Sequence, residues 1–326
     1  MARRLLDRGH AVSALGSADL ADRFAAIGAP YIARDPATEW DQSVAADDVL
    51  AHSADADVFV VDYMMPAALC GAEASGRPTV ALVHTLYTAM RVNGDFPTMY
   101  MAASLDAVNT ARERLGLALV DGLGALLDRA ALVLATSPRE LDAPGELASN
   151  VRYVGPVLET VASVAVDPAD IVVSLGTTPM DEAPLLERVL QAAAPLPVRV
   201  HATVGDHLDP GDVAAPDNAV VTGYVPHSAL LPGARLLVCH AGLGGVLAGL
   251  SYGVPLLCIP LGRDQPANAA AVERVGAGRS LAPDASIDDL RAAIEDLLAT
   301  GANDLRPAIA AYGDAAVTEL ESVTAG

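Results

Sequence analysis

The chain has 326 residues, a net charge of −21 and a hydrophobic fraction of 52%, with one Trp, eight Tyr and three Phe. Ala, Val and Leu must therefore fill the core. All 20 cationic side chains are Arg, which excludes chemistry that needs a lysine amine: Walker A phosphate loops, pyridoxal phosphate enzymes and Schiff-base aldolases. The acidic balance opposes nucleic acid as a partner. Cys70, Cys239 and Cys258 stand in apolar surroundings, without the even framework of a disulfide-stapled secreted domain. No uncharged apolar run reaches about 18 residues, and no apolar region follows Arg3 and Arg4, so neither a membrane span nor a signal peptide is expected. A cytoplasmic protein without stable membrane insertion is the expectation.

Taken in chain order, residues 2–8 read as the end of a helix stopped by Gly9. Apolar runs at 12–15, 58–61, 79–83, 132–135 and 151–154 read as buried parallel strands, with a helix at 103–115 between them. A second series follows at 171–175, 198–203, 219–222, 236–239 and 255–259. Alternation of this kind marks doubly wound α/β domains. The stretch from Gly155 to Pro168 reads as the linker. Ser286 can cap a helix carrying Asp288 and Asp289 in its first turn, with Gly301 at its end. A last helix is expected over 307–322. The start is unusual, because a doubly wound domain opens with a strand, usually central. Its loss would leave two neighbours unpaired, so the expectation is that Met1 does not begin a complete domain.

The most informative segment is His240-Ala241-Gly242-Leu243-Gly244-Gly245, between a strand and a helix. Glycines there let backbone N–H groups approach an anion, although a ligand-free tight turn fits the segment equally. Asp264 and Gln265 follow the next strand and suit a polyhydroxyl ligand, or simply cap a helix. Cys239 and His240 point to opposite faces and are no nucleophile–base pair. No histidine spacing suggests a metal, and there is no G-x-S-x-G elbow.

In combination these segments resemble the nucleotide-sugar-dependent glycosyltransferases of the GT-B fold, closest to the bacterial branch acting on natural products. The resemblance runs through Arg152-Tyr153-Val154-Gly155-Pro156, Val173-Ser174-Leu175-Gly176-Thr177, Gly223-Tyr224-Val225-Pro226-His227, the HAGLGG segment and Asp264-Gln265-Pro266. It implies two Rossmann-like doubly wound domains facing a cleft, the first incomplete. Residues 1–157 would be the acceptor domain, 169–305 the nucleotide-sugar domain, and 306–326 a helix packing back on the first. By the resemblance, Ser174, Gly176 and Thr177 contact the diphosphate. Tyr224 and Val225 pack on the base, with His227 close by. His240, Gly242 and Gly244 cradle the phosphates, and Asp264 and Gln265 bind the sugar hydroxyls. No metal or cofactor is implied, because helix N-termini and an imidazole stabilise the leaving diphosphate.

Two departures stand out. Gly245 replaces the family's Thr or Ser, keeping the N–H and losing a hydroxyl. Ala248 replaces a ribose-binding Glu of plant relatives, which leaves UDP and dTDP open and leans toward dTDP. In the N-terminal half, Asp62 matches the carboxylate that assists the family's base. The base His itself should lie upstream of Gly9-His10, outside this chain. Met64, Met65, His84, Tyr87, Met90 and Phe96 are candidates for a lipophilic acceptor wall, Met being adaptable to irregular apolar shapes. The expected function is inverting transfer from a UDP- or dTDP-sugar to a lipophilic small-molecule acceptor. The alternatives are an impaired nucleotide-sugar-binding or auxiliary protein and a sugar-nucleotide epimerase.

Overall fold

The computed structural model describes residues 1–89, 96–157, 166–176, 180–205 and 208–324, with the backbone alone at 96–103. The chain divides into two compact units, one of residues 1–136, 144–157 and 314–326, the other of 137–143 and 158–313.

The first unit begins with α1 (Ala2–Asp7), followed by Gly9 at φ 87°. β1 (Ala14–Gly16) leads through α2 (Ala21–Ala25) to β2 (Tyr31–Ala33). Then come α3 (Gln42–Ala51), β3 (Phe59–Asp62), α4 (Pro66–Ala74), β4 (Thr79–Val83), α5 (Phe96–Arg114), α6 (Leu123–Leu127), β5 (Leu132–Ala135) and β6 (Val151–Tyr153). All pairings are parallel, but they form two sheets, β1-β2 and β3-β4-β5-β6. Among the described residues, β1 and β3 each have a single hydrogen-bonded neighbour. One sheet running through both would need a further strand between them. One face of the larger sheet, including Val61, Ala81, Val83 and Val133, packs with Leu69, Cys70, Val108 and Leu127.

The second unit carries β7 (Ile171–Ser174), α7 (Ala183–Ala193), β8 (Val200–Thr203), β9 (Ala219–Thr222), α8 (His227–Leu230), β10 (Leu236–Cys239) and α9 (Leu243–Tyr252). β11 (Leu256–Cys258), α10 (Gln265–Arg274), β12 (Gly278–Ser280), α11 (Ile287–Thr300) and α12 (Arg306–Ala310) follow. Six parallel strands make one sheet, in the order β12-β11-β10-β7-β8-β9. On one face, α7 presents Leu186, Val189 and Leu190, and α11 presents Leu290, Ile294 and Leu297, to Ile171, Val173, Leu236 and Val238. On the other, α9 comes so close that a Cβ on Gly249 would lie 2.6 Å from Leu256. Residues 137–143 join this unit through Arg274, which donates to the Leu141 carbonyl at 2.6 Å.

The strand runs read from sequence coincide with β1, β3–β8, β9, β10 and β11 within two residues at each end. β2 and β12 were not foreseen. Both are three-residue strands at sheet edges, too short to show a buried apolar run. Ser286 and Asp289 form a reciprocal capping box on α11. The expected last helix is broken into α12 and α13 (Ala315–Thr324), with Gly313 at φ 48° between them. Glycine adopts that conformation at little cost, which ends the first segment. α13 belongs to the first unit, where Ala316 and Leu320 pack with Val80, Leu132, Leu134 and Leu5. Arg8 ties it to α1 through Asp314 and Glu321.

Candidate functional site

The second sheet reverses direction at β7. The chain runs outward from β7 through β8 to β9, then returns to place β10 on the other side of β7. Such a switch point opens a crevice outside the carboxyl ends of the two strands. Ser174 ends β7 opposite Cys239 of β10, so Ser174 and His240 leave the sheet side by side.

Glycines bound His240 on both sides. A Cβ on Gly176, whose φ is 106°, would lie 2.9 Å from the imidazole Cε1, and one on Gly242 would lie 2.4 Å from Nε2. No other residue fits either position without displacing the ring. Ala241 takes φ 62°, a left-handed conformation that is strained for a residue with a Cβ. The Nδ1 of His240 is buried and has no hydrogen-bond partner among the described residues. Leaving such an atom unmatched costs about 1–3 kcal/mol. Burial pushes the His240 imidazole below its ordinary pKa, against the opposing influence of the Ser174 backbone, Asp264 and Glu182.

α9 begins immediately after this turn, with Gly242 as its N-cap and no side-chain cap. Among the described residues, nothing lies within 4 Å of a Cβ built on Gly244, so they leave the helix start open. The first-turn N–H groups of a ten-residue helix are thereby presented to a ligand. His227, the first residue of α8, places Nε2 3.2 Å from Ser174 Oγ. Its imidazole also lies below the ordinary value, through burial first and the neighbouring His240 second. A Cβ on Gly245 would meet its Cε1 at 4.0 Å. Two neutral imidazoles, one hydroxyl and a helix N-terminus thus converge at the switch point.

Asp264 and Gln265 stand at the start of α10. Asn268, fully buried, donates to Asp264 Oδ2 and to the Ala241 carbonyl, both at 3.0 Å. It thereby ties the strained turn to α10. Asn268 lies within a motif read from sequence, but its role depends on a partner 27 residues away and has no local signal. Gln265 departs from the expected sugar-reading role. It is 3% exposed, its oxygen accepts from Leu261 N and Gly262 N, and its amide lies 3.3 Å from Met180 Sδ. Its first task is to shape the loop. Glu182, also buried and missed from sequence, accepts from Met180 N. Tyr224 is 64% exposed, an open ring available for stacking, and Val225 is half-buried. Thr177 lies outside the described residues.

In the first unit, Asp62 closes β3 and its Oδ1 lies 3.1 Å from His84 Nε2. The same oxygen accepts from Met64 N at 2.8 Å. The candidate acceptor wall is largely core. Tyr87 is 1% exposed, and Met64 and Met65 are partly buried against the same cluster. Met65 also receives a hydrogen bond from Gln42. Met90 and the Phe96 side chain lie outside the described residues.

Comparison with known proteins adds to this geometry. Residues 187–311 match the family described as erythromycin biosynthesis protein CIII-like, C-terminal domain. The uncharacterized UDP-glucosyltransferase YojK of Bacillus subtilis (strain 168) is 32% identical over 33% of this chain and 27% of its own length. A PGL/p-HBAD biosynthesis rhamnosyltransferase of Mycobacterium bovis (strain BCG / Pasteur 1173P2) is 36% identical over 41% of this chain and 30% of its own length. The matches therefore span less than a third of these curated relatives. Among solved structures, the glycotransferase of kitacinnamycin superposes with a TM-score of 0.80 at 24% identity, covering 99% of this chain and 94% of that one. The glycosyltransferase VinC, solved in complex with DTDP, gives 0.68 at 21% identity, covering 99% and 91%. These two share the fold.

Proposed function

We propose that this chain is a nucleotide-sugar-dependent glycosyltransferase of the GT-B fold that moves a sugar from a dTDP- or UDP-sugar to a hydroxyl of a lipophilic small molecule. The observation that carries the reading is the convergence of Ser174, His227, His240 and the α9 N-terminus at one sheet switch point. An anion answers each of these groups at once. The helix N–H groups donate to its oxygens, and the orphaned His240 nitrogen gains a partner. A diphosphate is the anion that a sugar transfer releases.

In the reaction, the acceptor oxygen attacks the anomeric carbon while the bond to the diphosphate breaks, inverting that centre in one displacement. Charge develops on the departing phosphate oxygen. Preorganised N–H donors and imidazoles in a water-poor site stabilise it more in the transition state than in the ground state. Ala248, where a Glu could reach a ribose hydroxyl, favours a deoxyribose donor. The DTDP complex of VinC and the UDP-glucosyltransferase name of YojK represent the two donor classes. Asp264 is the sugar-reading residue of this proposal, held by Asn268.

Asp264→Ala should weaken dTDP-glucose or UDP-glucose binding at least about tenfold, the scale of a hydrogen bond to a charged group, and leave binding of the bare diphosphate nearly unchanged. Equal weakening of both contradicts the assignment. A second reading, nucleotide-sugar binding without transfer, is favoured by the one-sided pairing of β1 and β3. It predicts donor binding with no acceptor-dependent release of nucleoside diphosphate.

A further inference from the structure

Asn268 lies in α10 and is fully buried. Its Nδ2 donates to the Ala241 carbonyl and to Asp264 Oδ2, both at 3.0 Å, which uses both hydrogens of the amide. Turning the amide over would set its oxygen against two acceptors, so the two bonds fix its plane. Its other end is unmatched: Oδ1 is buried and has no hydrogen-bond partner among the described residues. The backbone beside both acceptors is strained. Among the described residues, Asp181, Ala241 and Arg263 are the non-glycine residues with positive φ, at 57°, 62° and 57°. Ala241 is an acceptor of this amide, and Arg263 immediately precedes the other, Asp264. An orphaned buried oxygen and two left-handed residues each cost stability, and such costs gathered around one contact point to function. Ala241 separates His240 from Gly242, the N-cap of α9, so its carbonyl orients the proposed diphosphate cradle. Asp264 is the carboxylate proposed to read the sugar. Among the described residues its Oδ1 accepts no hydrogen bond, while Oδ2 is held by Asn268.

We propose that Asn268 is a positioning residue that couples recognition of the sugar to binding of the diphosphate, which rests on the donor reading above. One planar amide spans the two subsites. A diphosphate that fixes the turn at Gly242 fixes the Ala241 carbonyl, the carbonyl holds the amide, and the amide holds Asp264. The carboxylate is then already ordered when a sugar hydroxyl reaches it, and binding is tighter when less ordering remains to be done. Direction matters here, because a hydrogen bond weakens steeply as its angle closes. Without the amide, Asp264 keeps its charge and loses its fixed direction, and the turn at Ala241 loses its tie to α10. The coupling is a free energy shared by the two subsites, so each should feel the other.

The test is calorimetric titration of dTDP against dTDP-glucose, and of UDP against UDP-glucose. For each protein it yields the ratio of sugar-nucleotide affinity to bare-diphosphate affinity, which partial unfolding leaves unchanged. Asn268→Ala should weaken binding of the bare diphosphate and also lower this ratio about three- to tenfold, the range of one net hydrogen bond. In an Asp264→Ala background, Asn268→Ala should still weaken the bare diphosphate but leave the ratio unchanged, because the carboxylate it directs is gone. Asn268→Ser keeps one donor and should fall between the wild type and Asn268→Ala; it takes the place of the alanine variant if circular dichroism shows that one unfolded. An unchanged ratio, an unchanged bare-diphosphate affinity, or an equal drop of the ratio in both backgrounds overturns the coupling and leaves the donor site standing. A ratio that Asp264→Ala does not move overturns the sugar-reading role and the coupling with it. A wild-type chain that binds neither dTDP nor UDP refutes the donor reading itself, so the wild-type titration tells these failures apart.

Discussion

The two units use the same strand–helix alternation and finish it differently. In the second, six strands form one sheet, and β7 and β10, which carry Ser174 and His240, lie inside it with neighbours on both sides. In the first, the pairing stops between β1 and β3, and β3, which carries Asp62, is an edge strand. Phe59 N and Tyr63 N donate toward the β4 side, so the backbone groups of Val60 and Asp62 face the unpaired side. Val60 is 40% exposed in the middle of an apolar strand. The difference teaches that a site inherits the rigidity of its sheet. The proposed diphosphate cradle is held by interior strands, whereas the Asp62–His84 pair depends on one β3–β4 ladder and on the packing beneath it.

The first unit is therefore where substitution should cost most. Arg112 is fully buried and its charge is met by Glu73, which Arg129 also contacts. Glu73→Ala leaves that guanidinium buried without its carboxylate and should destabilise the unit by about 3–5 kcal/mol. Urea unfolding followed by circular dichroism should then show an early transition, with dTDP or UDP binding surviving past it. One cooperative transition that takes binding with it would break the comparison.

Acidification should separate the units in the opposite sense. Burial lowers the pKa of His201, His227 and His240, so their folded forms favour the neutral ring. Their contribution is fully present above the unfolded value of about 6.5 and is lost as pH falls through the lower folded values. Glu73 behaves differently. Burial works to raise it, but hydrogen bonds from Arg129 and Arg112 hold it below the ordinary carboxylate value. Its contribution persists until pH falls through that lower value, well below the imidazole range. Between about pH 7 and pH 5.5 the second unit should lose urea resistance while the Glu73 network stays intact. His240→Asn should flatten that slope, and an unchanged slope would contradict the sign.

The smallest effect sharpens the cradle itself. Gly245→Ser restores a hydroxyl at the α9 N-terminus, near His227. Binding of dTDP or UDP should tighten by about 0.5–1.5 kcal/mol, one net hydrogen bond. Weaker binding would show that Gly245 is needed for space instead.

The legible part of this molecule was local. The strand–glycine–helix junction at His240 could be read because glycine, strand end and helix start are adjacent in the chain. The apolar runs of the interior strands could be read because burial on both faces removes polar alternation. What escaped was set by distant partners. Gln265 resembled a sugar reader until Met180 and the Leu261-Gly262 backbone engaged its amide. Tyr87 resembled an acceptor wall until the core enclosed it. Asp62 and His84 are 22 residues apart, and only the adjacency of β3 and β4 makes them a pair.

Calorimetric titration of dTDP and UDP into the wild-type chain and into His240→Ala tests the central claim, the donor site at the switch point between β7 and β10, most directly. At least one diphosphate should bind the wild type. His240→Ala, with an unchanged circular dichroism spectrum, should bind it at least about tenfold more weakly, the scale of a lost hydrogen bond to a charged ligand. No binding to the wild type, or equal binding to both proteins, would contradict it.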